Sequence, residues 1–151
     1  MGNLAQANTA ADPAIDLLYR FAAALDQFDY DAVLGMFDKP SRYRVQCRKN
    51  YERNGVLHIV NDSDVQLGFR FASHPALRLE PTVHVLGNPS VTRDEAGAQV
   101  RATFNIDRNG KPTFSGEYLA TVNESGSALK FTQLIVVLEG DSVPSSVQIA
   151  I

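Results

Sequence analysis

The sequence lacks several features that mark large classes of protein, namely multiple cysteines, long apolar runs and an N-terminal signal segment. Its 151 residues include one cysteine, Cys47, and no tryptophan. A single cysteine excludes an internal disulfide and fits a reducing compartment, so we expect a cytoplasmic protein. The longest apolar run, Leu134–Leu138, is far shorter than the roughly 20 residues that cross a bilayer, and no membrane segment is expected. The first dozen residues have neither a basic cluster nor an apolar stretch, so no secretion signal is predicted.

An excess of positive charge is missing too. Lys and Arg number 14 and Asp and Glu number 17, which gives a net charge of −3. This excludes the global attraction that brings proteins to nucleic acids or acidic membranes. What is present is a globular composition, 44% hydrophobic and 21% charged, which argues against disorder. Because this length suffices to bury a core, we predict one domain over residues 12–151 after a flexible arm over residues 1–11.

The first third of the chain has two helical patterns. Asp12-Pro13 predicts a helix start, with an N-cap followed by proline at the first helical position. Two adjacent apolar stripes follow at helical spacing: Ile15, Leu18, Ala22 and Leu25, and beside them Leu17, Phe21, Ala24 and Phe28. Asp29 predicts the cap of a shorter second helix. We expect that helix to end at Lys39-Pro40, because the residue before a proline disfavours helical geometry.

The next segment predicts two strands and a third helix. Arg42–Arg48 alternates apolar and polar residues, as a half-buried strand does. Val56–Val60 is a second, short strand candidate. Either Asp62 or Ser63 predicts the cap of a helix that runs to about residue 73. The apolar residues expected along one side of that helix are Val65, Phe69 and Ala72.

The rest of the chain has β patterns. Strands are predicted over Thr82–Leu86, Gln99–Ile106, Phe114–Val122 and Lys130–Glu139, with turns at Gly87-Asn88-Pro89 and Asn109-Gly110. The last of these strands is apolar on both faces, which is typical of a central strand. Helices followed by strands predict an α+β fold, a curved antiparallel sheet whose concave side is closed by three helices.

Several segments together resemble a known superfamily. They are Tyr19–Asp26, His84–Val91, Phe114–Leu119, and Leu134–Glu139 with the apolar end Val147–Ile151. From Pro13 to Ile151 the chain resembles the cone-shaped fold of the nuclear-transport-factor, SnoaL and ketosteroid-isomerase superfamily. Within it, the chain is similar to the small (β) subunit of Rieske-type aromatic-ring-hydroxylating dioxygenases, in the terephthalate and salicylate hydroxylase branch. Val83 departs from that pattern, since small subunits usually carry an arginine there.

That resemblance implies a non-catalytic subunit. The large (α) subunit of the family carries a Rieske [2Fe–2S] cluster, a mononuclear non-haem Fe(II) and the substrate pocket, and it receives electrons from NAD(P)H through a reductase. The implied complex has three large and three small subunits and acts on an aromatic carboxylate such as terephthalate or salicylate. The residues agree, because a Rieske centre needs two Cys and two His, while His58, His74 and His84 lack a metal-ligand spacing. No cofactor or metal site is therefore expected in this chain.

The residues at two positions argue against proton-transfer catalysis of the kind found in the isomerase branch. Its Tyr and Asp positions are matched by Phe21 and Val45, and neither side chain moves a proton. Asp38 lies too early for the base and is interpreted as a turn residue. The alternative is a stand-alone SnoaL-like isomerase, lyase or hydrolase, or a cone that binds a small ligand. In that alternative His84 is a base facing the cone and Glu117 orients it.

The same side chains have a competing structural interpretation. Glu117 and Glu139 lie on inner strands and are expected to pair with Arg101 or Lys130, because a buried carboxylate needs a partner. His84 is then expected to hydrogen-bond a neighbouring strand or subunit. The predicted subunit interface combines this histidine with the arginines of the first strand and the apolar end of the chain: Arg42, Arg44, Arg48, His84, Val147, Ile149 and Ile151.

Overall fold

A computed structural model of the protein describes residues 12–73, 80–140 and 151; the predicted arm lies outside them. The helices are α1 (Pro13–Asp26), α2 (Tyr30–Gly35), α3 (Arg48–Glu52) and α4 (Asp64–Ala72). The strands are β1 (Phe37–Cys47), β2 (Val60–Ser63), β3 (Thr82–Asp94), β4 (Gly97–Arg108), β5 (Lys111–Asn123) and β6 (Lys130–Leu138). One curved six-stranded sheet results, in the order β2-β1-β6-β5-β4-β3. The predicted α+β fold is confirmed.

Helix α1 covers one face of the sheet and begins where the sequence predicts. Asp12 caps it, with Oδ1 accepting a hydrogen bond from Ala14 N at 3.0 Å, and a proline takes the first helical position. Both predicted stripes contribute buried residues: Leu17, Leu18, Phe21, Ala22, Ala24 and Leu25. The Phe21 ring lies edge-on to three rings at centroid distances of 5.8–6.1 Å, which tie the helix to β1, β5 and β6: Phe37, Tyr118 and Phe131.

The second helix is shorter than predicted. Helix α2 ends at Gly35 and β1 begins at Phe37, so Lys39-Pro40 lies inside a strand, with a cis peptide bond. Phe37 is buried in the core and pairs with Phe131 of β6. Packing of this ring therefore outweighs the local helical pattern. The proline is accommodated where the pairing register shifts, between Phe37 and Arg42.

Helix α4 begins as predicted but buries a different face. Ser63 caps it through a reciprocal capping box. The three apolar residues predicted along one side are exposed, Val65 and Phe69 by 62% and 73%, and so is Ala72. The inward residues are Leu67 and Phe71. Phe71 stacks on Tyr30 of α2 with a centroid distance of 4.7 Å, and this contact between helices fixes which side of α4 faces the core.

The remaining strand and turn predictions are confirmed in part. The short strand lies at Val60–Ser63 rather than Val56–Val60, and helix α3 was not predicted. Gly87-Asn88-Pro89 is not a turn between strands but an irregularity within β3, where the register to β4 shifts and Asn88 has φ of 48°. The hairpin at Asn109-Gly110 is confirmed, with φ of 52° and 75° at its two residues.

The sheet contains one parallel pair, whereas the sequence predicted an antiparallel sheet. Strand β6 runs parallel to β1 and antiparallel to β5, so the last strand lies at the centre. We call the face that α1 covers the inner face and the opposite one the outer face. Paired residues share a face, and those of the inner face include Val45, Leu86, Phe104, Ile106, Tyr118 and Val136.

Candidate functional site

A carboxylate and an imidazole meet between the end of α1 and the start of β3. Asp26 is the last residue of α1, and its Oδ1 lies 2.5 Å from Nδ1 of His84. Its Oδ2 accepts a hydrogen bond from the main-chain N–H of His84 at 2.8 Å. Thr82 Oγ1 donates to Oδ1 at 3.0 Å. Three donors therefore hold one carboxylate, which in turn fixes the plane of the imidazole.

The imidazole of His84 is buried, and the ring nitrogen that points away from Asp26 is unpaired among the described residues. The side chain of His84 is 2% exposed. Its Nε2 has no hydrogen-bond partner among the described residues. Since a carboxylate only accepts hydrogen bonds, Nδ1 carries the proton facing Asp26. The carboxylate of Asp26 therefore sets the orientation of the imidazole.

The charge state of Asp26 suits this role. Burial acts to raise the pKa of Asp26, but the hydrogen bonds from His84 and Thr82 and the charge of His84 act the other way. The net result is a carboxyl pKa below its ordinary value. Asp26 is therefore ionised at neutral pH and accepts a hydrogen bond from Nδ1 of His84.

A second polar atom is buried on the inner face. The hydroxyl of Tyr118 has no hydrogen-bond partner in the described part of the chain, and its ring packs on Phe104 at a centroid distance of 4.4 Å. Burial raises the pKa of Tyr118 well above its ordinary value, and the charges of Tyr43 and Asp26 raise it further. Tyr118 therefore stays protonated, within electrostatic range of the carboxylate that orients His84.

Glu117 belongs to an ion-pair network instead. Arg101 Nη2 donates to its Oε2 at 2.7 Å and Arg48 Nη1 to its Oε1 at 3.1 Å. Arg48 Nη2 also reaches Glu139 Oε1 at 2.7 Å. Burial acts to raise the pKa of Glu117, but the two arginines outweigh it and the pKa is lowered. The predicted pairing with Arg101 is confirmed, and Arg48, rather than Lys130, is the second partner.

The sheet register separates Glu117 from His84. His84 pairs with Ile106 of β4, whereas Glu117 pairs with Thr103 of the same strand. Residues three apart on a strand face opposite sides, so His84 lies on the inner face and Glu117 on the outer face. The expectation that Glu117 orients His84 is therefore wrong. Asp26 does so.

Two residues expected at a subunit interface lie inside the molecule. His84 is buried beneath α1, and Ile151 is 4% exposed within the hydrophobic core. Both side chains are therefore buried within this chain, and their place at a subunit interface stays a prediction. Val147 and Ile149 lie outside the described residues, as does the apolar end as a whole apart from Ile151.

The arginines of β1 lie on the outer face. Arg44 is in register with Ile135, and its Nε is buried without a hydrogen-bond partner in the ranges the structure describes. Arg42 donates from Nη1 to Asn61 Oδ1 at 3.4 Å. Arg48, at the start of α3, is occupied by its two glutamates. Of the three predicted interface arginines, Arg48 is therefore paired within the chain, whereas Arg42 and Arg44 form no ion pair with another described residue.

The residues at the isomerase positions pack in the core. Phe21 and Val45 are fully buried among apolar side chains. Asp38 is a strand residue of β1 rather than a turn residue, and its Oδ2 accepts a hydrogen bond from Asn123 Nδ2 at 3.0 Å. Val45 and Asp38 lie on β1, which three strands separate from the β3 strand of His84.

The remaining candidate ligands are dispersed. His58 is partly buried, with Nδ1 2.9 Å from the carbonyl oxygen of Val56, and Cys47 is partly buried at the end of β1. His74 lies outside the described residues. Across residues 12–73, 80–140 and 151 there is no group of three His, Cys, Asp or Glu side chains suited to a metal ion. Over the same ranges no helix has the length and apolarity needed to cross a membrane.

Asp26 is the residue that the sequence prediction missed. It was recognised only as the end of the segment Tyr19–Asp26 that supports the family resemblance. One signal does point to it: Asp26 follows Leu18 and Ala22 at intervals of four, so an acidic residue continues an apolar stripe of α1. An acidic group on a buried helix face needs a partner. Its partner could not be chosen from the sequence, because the contact spans 58 positions.

Comparisons with known proteins give structural likenesses only. No protein-family model matches the chain, and neither does any curated relative. A protein of Novosphingobium aromaticivorans assigned as the β subunit of an aromatic-ring-hydroxylating dioxygenase matches with a TM-score of 0.77 and 19% identity, over 90% of this chain and 93% of that one. The β subunit of benzoate 1,2-dioxygenase from Burkholderia mallei matches with a TM-score of 0.66 and 19% identity, over 83% and 87%.

Proteins with other assignments share the same architecture. A second N. aromaticivorans protein, assigned as a scytalone dehydratase, matches with a TM-score of 0.67 and 14% identity, over 99% of this chain and 95% of that one. At such identities the likeness establishes the fold, which is the NTF2-like, cystatin-like fold. That fold is shared by proteins assigned as dioxygenase β subunits and by one assigned as a scytalone dehydratase.

Proposed function

We propose that the chain is the small (β) subunit of a Rieske non-haem iron aromatic-ring-hydroxylating dioxygenase. The observation that carries the proposal is the match to a dioxygenase β subunit over nearly the whole of both chains. The core residues support it, because Phe21 and Val45 fill the positions where the isomerase branch has its proton-transfer groups. The chain acts in ring hydroxylation through assembly and stability.

The proposed partner is the large (α) subunit. It supplies the Rieske [2Fe–2S] cluster, the mononuclear Fe(II) and the substrate pocket, and electrons reach it from NAD(P)H through a reductase. The proposed complex has three large and three small subunits. An aromatic carboxylate of the terephthalate or salicylate type is the proposed substrate, on the strength of the branch that the sequence resembles.

The outer face offers the surface for this partner. Arg42 and Arg44 lie there without an ion pair to any described residue. A half-buried guanidinium is expensive to leave unpaired, so a carboxylate on the partner subunit satisfies Arg44. Val83 and Val85 of the edge strand β3 are exposed on the same face. Stable interfaces bury about 800 Å² on each partner, which accommodates both groups.

Co-expression tests the proposal. The chain is produced with the product of a neighbouring open reading frame that carries Cys-x-His and Cys-x-x-His motifs, with the affinity tag on the large chain only. We expect both chains to co-purify with iron, and the complex to consume oxygen with an aromatic carboxylate when a reductase and NAD(P)H are supplied. A large chain that assembles and turns over at full rate without the small chain would contradict the proposal.

A further inference from the structure

We propose that two copies of the chain associate through α2 and α4, related by a two-fold axis. The inference concerns the chain by itself and goes beyond the proposed subunit role. It begins from the apolar stripe that the sequence predicts along one side of α4, which is exposed: Val65, Phe69 and Ala72. Exposed apolar side chains that lie together mark an interaction surface.

A cleft lies beside that stripe, between α2 and α4. It consists of two adjoining cavities of about 450 and 420 Å³, which share Leu34 of α2 and Gly68 of α4 as lining residues. One cavity lies at the end of α2 and the beginning of α4, and the other at the beginning of α2 and the end of α4. The two helices are therefore antiparallel, and the cleft has two distinct ends.

The two ends of the cleft differ in charge. Lys39 and Lys130 line one end, whereas Asp29 and Asp31 line the other. Asp64 is also at the lysine end, where its Oδ1 accepts a main-chain hydrogen bond. No basic residue among those described lines the aspartate end. In the described part of the chain neither the two lysines nor Asp31 forms a salt bridge, so their charges are available to a partner.

A second copy of the chain fits this surface because the surface is complementary to itself. A two-fold axis that lies in the interface and runs perpendicular to α4 reverses the direction of the helix in the partner copy. The lysine end of each cleft then lies opposite the aspartate end of the other, so that Lys39 meets Asp31 twice. The two apolar stripes pack together, with Phe69 near the axis because it lies between Val65 and Ala72 along the stripe.

This surface is separate from the one proposed for the large subunit. Arg70 of α4 forms a salt bridge with Asp62 at 2.7 Å. Asp62 is in register with Tyr43, which lies two residues from Val45 and therefore on the inner face. Helix α4 thus lies on the inner side of the sheet. The outer face stays open in such a dimer, and the two associations are tested independently.

Sedimentation velocity of the purified full-length chain, over a concentration series up to about 1 mM, tests the inference. We expect a reversible monomer–dimer equilibrium in the absence of any large chain. Phe69→Glu should raise the Kd of the dimer by about tenfold or more, because it places two like charges beside each other at the axis. Val83→Glu, at an exposed apolar residue of the outer face, is the control and should leave the Kd unchanged. A chain that is monomeric at every concentration overturns the inference, and so does a dimer that Val83→Glu weakens and Phe69→Glu does not.

Recovery with the tagged large chain distinguishes a second copy from the large subunit as the occupant. The Phe69→Glu chain should be recovered with the large chain as fully as the unaltered chain. Loss of that recovery would show that the large subunit covers α4. It would overturn this inference and leave the proposed function in place.

Exchange of the charges at the two ends tests the two-fold arrangement itself. Asp31→Lys and Lys39→Asp should each raise the Kd by about threefold or more, because each variant sets like charges opposite each other twice. Lys39 is chosen over Lys130, whose charge already acts on Asp38. An equimolar mixture of the two variants should associate as tightly as the unaltered chain, since both pairs are complementary in the mixed dimer. A mixture that associates no better than its components overturns the inference.

Discussion

The hydroxyl of Tyr43 and the main chain of Ile151 hold each other through two hydrogen bonds. Tyr43 donates to the carbonyl oxygen of Ile151 at 3.0 Å and accepts from its N–H at 2.9 Å. Both residues are buried in the core, 108 positions apart in the sequence. Because buried main-chain groups need partners, this one side chain secures the position of Ile151 beneath the sheet.

Tyr43→Phe is expected to lower the free energy of unfolding by about 1–3 kcal/mol. The substitution leaves the N–H and carbonyl of Ile151 unpaired in an apolar environment, which costs more than the net worth of the bonds themselves. Urea denaturation followed by circular dichroism measures the change. Tyr19→Phe is the control, since Tyr19 lies on the exposed side of α1, and equal effects of the two substitutions would contradict this account.

Gly116→Ala is expected to destabilise the protein by roughly 3 kcal/mol or to prevent folding. A Cβ at Gly116 would clash with the carbonyl oxygen of Val137 on β6 and approach Phe104 to 3.1 Å. Backbone cannot move aside as a side chain can. Gly68→Ala in α4 meets nothing within 4 Å and should stabilise by up to about 1 kcal/mol through helix propensity. Thermal unfolding of both variants gives the comparison, and a neutral Gly116→Ala would refute it.

Glu117→Gln should weaken the acid dependence of stability. The pKa of Glu117 is lowered in the folded state, so its contribution is present at pH values above the unfolded carboxyl pKa of about 4.3 and is lost as the pH falls through the folded pKa. We expect a loss of about 1–2 kcal/mol at neutral pH and a smaller one in acid. Unfolding free energies from pH 7 down to the acid limit of folding measure this. An equal loss at every pH would show that the charge of Glu117 is irrelevant.

Arg44→Glu tests the outer face as the subunit interface. If a partner carboxylate meets the unpaired guanidinium of Arg44, charge reversal should lower the amount of small chain recovered with the tagged large chain by about tenfold or more. Arg20→Glu is the matched control, because Arg20 lies on α1 in an exposed pair with Asp16. Turnover per assembled complex should be the same in all three proteins. Undiminished recovery of the Arg44→Glu chain would place the interface elsewhere.

Local chemistry was sufficient to predict much of this fold. The start of α1 and the hairpin at Asn109-Gly110 are confirmed because their signals, an Asp-Pro cap and a turn with positive φ, act over a few residues. The strand predicted over Gln99–Ile106 lies within β4, which buries Val100, Ala102, Phe104 and Ile106. The predictions failed where packing between distant elements determines the secondary structure. Phe37 was predicted in a helix but lies in β1, because its ring packs in the core beside Phe131.

The candidate site was only half predictable. In the alternative interpretation His84 faces the cone with Glu117 as its partner, but Glu117 lies on the outer face of the sheet. Strand register decides which residues share a face. The register of β3, β4 and β5 depends on pairings between strands that cannot be predicted from the sequence pattern. Asp26 reaches His84 only because α1 crosses the inner face at β3.

The central position of β6 has a consequence for how the chain folds. Strands β3 to β6 each pair with the strand next to them in sequence, so their contacts form early. Strand β1 lies between β2 and β6 in the sheet and is paired on its second edge only after β6 has been added. Arg48 and Glu139, which close this junction, are 91 positions apart. Closure of so long a loop slows folding, and until it occurs β1 presents a bare edge to other chains. Production during synthesis on the ribosome, in company with a partner subunit or a chaperone, should therefore yield more native protein than refolding of concentrated denatured chain.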